Sequence, residues 1–235
     1  MVGLLTAAVC AVAALLLTGE LRRYVPALRL PVPTSQAPTS RAPTSLPPRV
    51  DILPRSIGRR LLSWAHVTLA AAGGLGAAAV AGGAAELVAF GALAVGCSLL
   101  AVVDLAEKRL PDRLVAGTLV ALHVPLGVAA ATGAGWGTFG RSVLAAVVLL
   151  AGYFALAFAA PSGLGLGDVK FAAVVGAFLG WFGWQHVAVG TLLAFALNAV
   201  VALVVLAGRR GGRDSDIPFG PAMMLGAVLA VVLVH

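Results

Sequence analysis

VLAAVVLLAGYFALAFAA, residues 143–160, is apolar on nearly every side, and VAVGTLLAFALNAVVALVVLA, residues 187–207, repeats the pattern without an acidic or basic residue. Uninterrupted apolar runs of roughly 20 residues read as transmembrane helices. A membrane β-barrel would need segments of about ten residues with strict in/out alternation, and neither stretch has it. The class is therefore all-α, a polytopic membrane helix bundle. Composition agrees: of 235 residues, 60% are hydrophobic and 11% charged, with mean hydropathy +1.02, whereas a soluble domain is about a quarter charged. No separate soluble enzyme domain fits in what remains.

Working outward with windows of about 19 residues places spans at 2–18, 65–83, 85–103, 114–132, 142–160, 170–183, 186–207 and 218–234, about eight helices by the span length above. Their orientation follows from Lys and Arg, which cytoplasmic loops retain. With the N-terminus outside, all but Arg141 of the 16 basic residues fall on the inside, an observation not used to draw the spans. The net charge of +7 is accounted for by this placement and by anionic lipid headgroups, so no nucleic-acid partner is expected. Residues 1–18 read as an uncleaved anchor, because no Lys or Arg precedes the apolar region and Glu20, Arg22 and Arg23 follow it. Residues 19–64 carry the repeat PTSQA, PTSRA, PTSLP at 33–47, which cannot bury enough apolar surface to fold and reads as a cytoplasmic linker. Residues 65–235 form the membrane domain. Cys10 and Cys97 both sit in apolar runs, so neither a disulfide framework nor a CxxC site is expected.

The chemistry is sought among the nine acidic residues. Asp104 closes the apolar run 87–103, and Asp168 follows Gly163-Leu164-Gly165-Leu166-Gly167 before another apolar helix. Both fall on the inner membrane boundary. Carboxylates at that depth are costly, and their default reading is functional. Two that approach within about 3 Å cannot both ionise, so they share a proton and form an acid/base pair able to activate water. Gly165 and Gly167, lacking Cβ, let another backbone come close. A phosphate-binding loop is excluded, since neither a preceding strand nor a following GK[ST] is present.

Three blocks then carry a resemblance: Asp104 with Lys108 to Leu114 (KRLPDRL), Gly165 to Lys170 (GLGDVK), and Ile217 to Pro221 (IPFGP). Together they resemble the type IV prepilin peptidase family, the GxGD-type aspartic proteases of membranes, over roughly residues 86–234. The resemblance implies that Asp104 and Asp168 are the catalytic pair, supported by Pro111, Gly165, Gly167, Lys170, Pro218 and Pro221. It implies cleavage of the short basic leader from pilin-like precursors, whose N-terminal apolar helix meets the enzyme within the lipid, at the cytoplasmic face of the inner membrane. The setting would be a type IV pilus, a protein-secretion apparatus or a DNA-uptake machine, among which the sequence does not choose, and no metal or organic cofactor is implied. Bifunctional members also methylate the new N-terminus, using a cysteine-bearing domain between the first two spans. The corresponding loop Gly19 to Trp64 has no cysteine, which leaves methyl transfer without support.

Plainer roles stand beside these. Asp104 could pair with Lys108 one turn on. Asp168 could be a helix cap and Asp112 the cap of the helix near Leu114. Lys170, about 200° around the helix from Asp168, reads as facing headgroups. Pro218 and Pro221 suit a helix start. His66, His123, His186 and His235 form no pair at i+3 or i+4, so no metal site is expected. Trp136, Trp181 and Trp184 read as interfacial anchors. The alternative functions are a proton-relaying small transporter and a GxGD protease that cuts within other membrane segments.

Overall fold

The computed structural model describes residues 1–24, 55–107, 110–159, 164–207 and 218–234. Among these the chain forms eight α-helices and no strand: α1 (Val2–Tyr24), α2 (Arg55–Val80), α3 (Ala84–Glu107), α4 (Asp112–Ala129), α5 (Trp136–Ala159), α6 (Leu166–Phe182), α7 (Trp184–Ala207) and α8 (Gly220–Leu233). A π-helical turn, Ala130–Ala134, prolongs α4. The number and order of helices are those expected from hydropathy. Five of them, α1, α3, α4 with its π turn, α5 and α7, are long and apolar enough to cross a membrane, while Trp64–Val80 within α2 and all of α8 are shorter apolar helices.

The boundaries depart from the apolar limits where helix formers continue past them. α1 runs on through Glu20 to Tyr24 and α2 begins at Arg55, because Glu, Leu and Arg favour helix whether or not the segment is apolar. Both helices therefore reach into the linker assigned to 19–64, and the repeat at 33–47 lies outside the described residues. Between the spans expected at 65–83 and 85–103 the helix breaks, α2 ending at Val80 and α3 starting at Ala84. There Glu86, three residues into α3, reaches back to accept the Gly82 N–H at 2.7 Å, holding the chain in the turn that joins α2 to α3.

α6 sits at the centre, against α4, α5, α7 and α8. A helix apolar all round belongs in such a position, and Phe171, Ala172, Val174, Ala177 and Leu179 are wholly enclosed. Its seam with α5 depends on backbone proximity, since a Cβ at Gly176 would stand 2.5 Å from the Ala145 carbonyl oxygen. Small residues of this kind let membrane helices approach closely. At the seam's end, Arg141 donates from Nε to the Gly180 carbonyl and from Nη2 to that of Trp181, both at 2.8 Å. Trp181 is consequently buried and is not the interfacial anchor expected, because a helix surrounded by others has its end covered too. Across the bundle, α1, α2 and α3 pack together and are tied by His66, whose Nε2 lies 3.0 Å from the Ala14 carbonyl and Nδ1 2.7 Å from Ser98 Oγ. Polar groups inside an apolar layer need such partners.

Candidate active site

Asp104 occupies the last turn of α3, where the apolar sequence ends, and is only 4% exposed. Its Oδ2 is buried with no hydrogen-bond partner among the described residues. Lys108, the alternative partner, lies outside those residues. Facing Asp104 is the start of α8: a Cβ at Gly220 would come within 2.6 Å of Oδ2 and 3.4 Å of the carboxyl carbon. Only glycine allows this approach without displacement. A buried carboxyl oxygen without a partner is costly, and a folded chain rarely retains one without a use.

Asp168 comes from the first turn of α6. Gly165 is the N-cap, in extended conformation, and its carbonyl accepts the Asp168 N–H at 3.0 Å. Asp168 is therefore the third helical residue and not the cap. Its carboxylate folds back over Gly165, with Oδ2 3.3 Å from where a Cβ would stand. Gly167 serves a different neighbour: a Cβ there would meet Leu110 Cβ at 3.0 Å and Leu110 N at 3.3 Å. The close backbone approach expected of the glycine string is real, and it is made by the residue just before Pro111. Pro111 in turn starts α4, its carbonyl accepting the N–H groups of Leu114 and Val115 at 3.0 and 3.1 Å. Asp112, expected as a cap, makes no capping bond; Pro111 is the N-cap, and Asp112 pairs with Lys170 Nζ at 2.6 Å. Both partners of that pair are largely exposed. Lys170 thus points away from the aspartates and stitches the first turn of α6 to that of α4.

The two carboxylates are near enough for the charge of Asp104 to act on Asp168. Asp168 likewise acts on the buried phenol of Tyr153 from α5. Tyr153 stacks on Phe195 of α7, with ring centroids 5.5 Å apart, and meets Phe219 at 6.0 Å. Phe219 closes the triangle on Phe195 at 5.2 Å, so two aromatic rings, Tyr153 and Phe195, hold the residue immediately before Gly220. Pro218 precedes this turn and Pro221 occupies the first turn of α8, where a missing N–H costs nothing. The three sequence blocks thus meet around one pair of carboxylates. The residue of the third block that touches Asp104 is Gly220, between the two prolines singled out from sequence. Tyr153 was also missed, although a lone phenol in an otherwise apolar span is a signal, since a buried phenol usually has a polar partner. Two carboxylates within reach of each other's charge in an enclosed site can supply an acid and a base together.

Residues 91–207, which include both aspartates, match the model of the type IV leader peptidase family. Among curated relatives, the prepilin leader peptidase/N-methyltransferase of Burkholderia pseudomallei is 32% identical over 150 residues, 60% of this chain and 45% of the relative. Its namesake from Pseudomonas putida is 36% identical over 70 residues, 30% of this chain and 23% of the relative. That of Aeromonas salmonicida is 29% identical over 142 residues, 57% and 45% of the two chains. The chain spans about half the length of the curated relatives it matches. No solved structure matches it. With an all-helical membrane bundle, a family match over its central helices and both aspartates within the matched segment, the chain belongs to the type IV leader peptidase family.

Proposed function

We propose that this protein is a membrane aspartic endopeptidase that removes the short leader from type IV prepilin-like precursors, working at the cytoplasmic face of the inner membrane. The observation that carries the reading is the meeting of three blocks, distant in sequence, around Asp104, whose buried Oδ2 has no hydrogen-bond partner among the described residues. Asp104 and Asp168 hold one proton between them. The ionised carboxylate takes a proton from water as its oxygen attacks the scissile carbonyl. The protonated partner then gives its proton to the amide nitrogen as the C–N bond breaks. Gly165 and Gly220 let the two carboxylates sit against backbone, Gly167 lets Leu110 close on α6, Pro111, Pro218 and Pro221 fix the turns that bring the carboxylates together, and Lys170 fastens α6 to α4. Residues 65–235 carry this chemistry, the segment 19–64 acts as a tether, and with no cysteine in that segment methyl transfer has no support.

The test is cleavage of a pilin-type precursor, with a basic leader ending in Gly before an apolar helix, by purified protein in detergent. Wild type should cut it, and Asp104→Ala and Asp168→Ala should each lose at least about 10²-fold in rate while remaining folded. Failure of wild type to cut, or full activity in either variant, would overturn the reading.

A further inference from the structure

One large cavity, of about 440 Å³, lies away from the aspartates, between α2, α3, α6 and α8. Its lining is almost wholly apolar. α3 and α6 form the floor, where Phe90 and Phe178 meet edge to face at 5.5 Å. α2 and α8 form the banks, with Leu69, Ala72, Gly76, Val228 and Val232 left exposed along them, so the cleft opens sideways into the membrane.

Two observations connect the cleft to the site. The first is register. The cleft begins at Ala101 on α3, Phe171 on α6 and Met224 on α8, three residues from Asp104, three from Asp168 and four from Gly220. Residues three and four apart share a helix face, so the faces that carry the site continue into the cleft one turn deeper. On α3 it extends from Ala101 to Phe90, about 16 Å at 1.5 Å per residue, or roughly three turns of an incoming helix. The second is Gly76. A helix-interior glycine costs about 1 kcal/mol relative to alanine, and at Gly76 a Cβ would meet nothing within 4 Å. Gly73, by contrast, is required by Ala94, whose Cβ would stand 2.6 Å away. Packing within the described chain gives Gly76 no reason to be glycine, whereas the backbone of a visiting helix would.

Resting on the peptidase reading above, we propose that this cleft receives the apolar helix of the substrate directly beyond the scissile bond, with Gly76 as its point of closest approach. A substrate helix seated there places the preceding peptide bond at the aspartates without further movement, so the depth of the cleft sets where the chain is cut.

Cys97 supplies the test, because it lines the cleft with its thiol free, while the other cysteine, Cys10, is buried and outside the cleft lining. Precursors carrying single cysteines along the apolar helix are oxidised with the otherwise unaltered enzyme. Disulfides to Cys97 should recur every three or four residues and be competed by unlabelled precursor. In parallel, Gly76→Leu, which fills open space, should raise KM for the precursor roughly tenfold, the scale of a poorly matched apolar pocket, with kcat held within about twofold. Val120→Leu, on the exposed face of α4 outside the cleft, should change neither. Cleavage is scored first in the unaltered enzyme, and its absence removes the peptidase reading and this assignment together. Cleavage with an unchanged KM in Gly76→Leu, or with no disulfide to Cys97, removes the cleft assignment alone and leaves the cavity to lipid chains.

Discussion

A buried carboxyl oxygen with no hydrogen-bond partner among the described residues is held there by what surrounds it, and for Asp104 the closest surrounding is a missing methyl group. Because a Cβ at Gly220 would stand 2.6 Å from Oδ2, Gly220→Ala must move either the carboxyl group or the start of α8. Displacements of about 1 Å at a reacting group can cost on the order of 10²-fold in rate. The expected result in a leader-cleavage assay is a loss of about that size in kcat, with KM and melting temperature little changed. Activity within about twofold of wild type would show that the carboxyl group has room to yield. The two aspartates were legible from sequence because charge is conspicuous at the end of an apolar run. Gly220 was not, since one glycine among 29 declares its neighbour only when the chain is folded.

The helices themselves were legible wherever apolar length decides the structure, and less so where packing or propensity does. α6 is the instructive case: hydropathy started its span at 170, yet the helix begins at Leu166 and takes Asp168 and Lys170 into its first turn. Neighbours on many sides stabilise this short helix, and its seam with α5 should be its weakest point to enlargement. Gly176→Leu places a side chain where only 2.5 Å separates a Cβ from the Ala145 carbonyl oxygen, and overpacking of this sort typically costs about 1–3 kcal/mol. Arg141 holds the far end of the same seam with two hydrogen bonds, so Arg141→Ala should lose about 1–2 kcal/mol from charge-assisted bonds to the last carbonyls of α6. Lys170→Ala removes an exposed ion pair and should cost less than about 1 kcal/mol. Unfolding of the three variants in detergent tests the ranking, and Lys170→Ala emerging as the most damaging would mean that the α4–α6 stitch, and not the α5–α6 seam, secures the central helix.

At the scale of the whole molecule, the polar chemistry divides between two ends. Asp104, Asp112, Asp168, Lys170 and the start of α8 gather at one, as their mutual contacts require. Gly82, Gly83 and Glu86 line a shared hollow with Thr132 and Ala134 at the other, the end at which α3 starts and α4 finishes. Sequence could say that these ends differ, since all but one of 16 basic residues fall in the loops of the first, but it could not say which helices are neighbours, because an apolar face reads alike whether it meets lipid or another helix. The exception to the charge rule now has a physical reason. Arg141 is retained at the far end because its guanidinium caps the carbonyls that α6 leaves unsatisfied there, a structural use that outweighs its effect on orientation. The rule then applies undiluted to the remaining cations, and the aspartate end should face the cytoplasm. Single cysteines introduced at Gly83 and Ala134, in a protein freed of Cys10 and Cys97, should react with a membrane-impermeant thiol reagent on intact cells, whereas cysteines at Glu107 and Leu166 should react only after permeabilisation. The reverse pattern would put the carboxylate pair on the outer face, where a leader still attached to a newly made precursor could not reach it, and the cytoplasmic peptidase reading would fall with the topology.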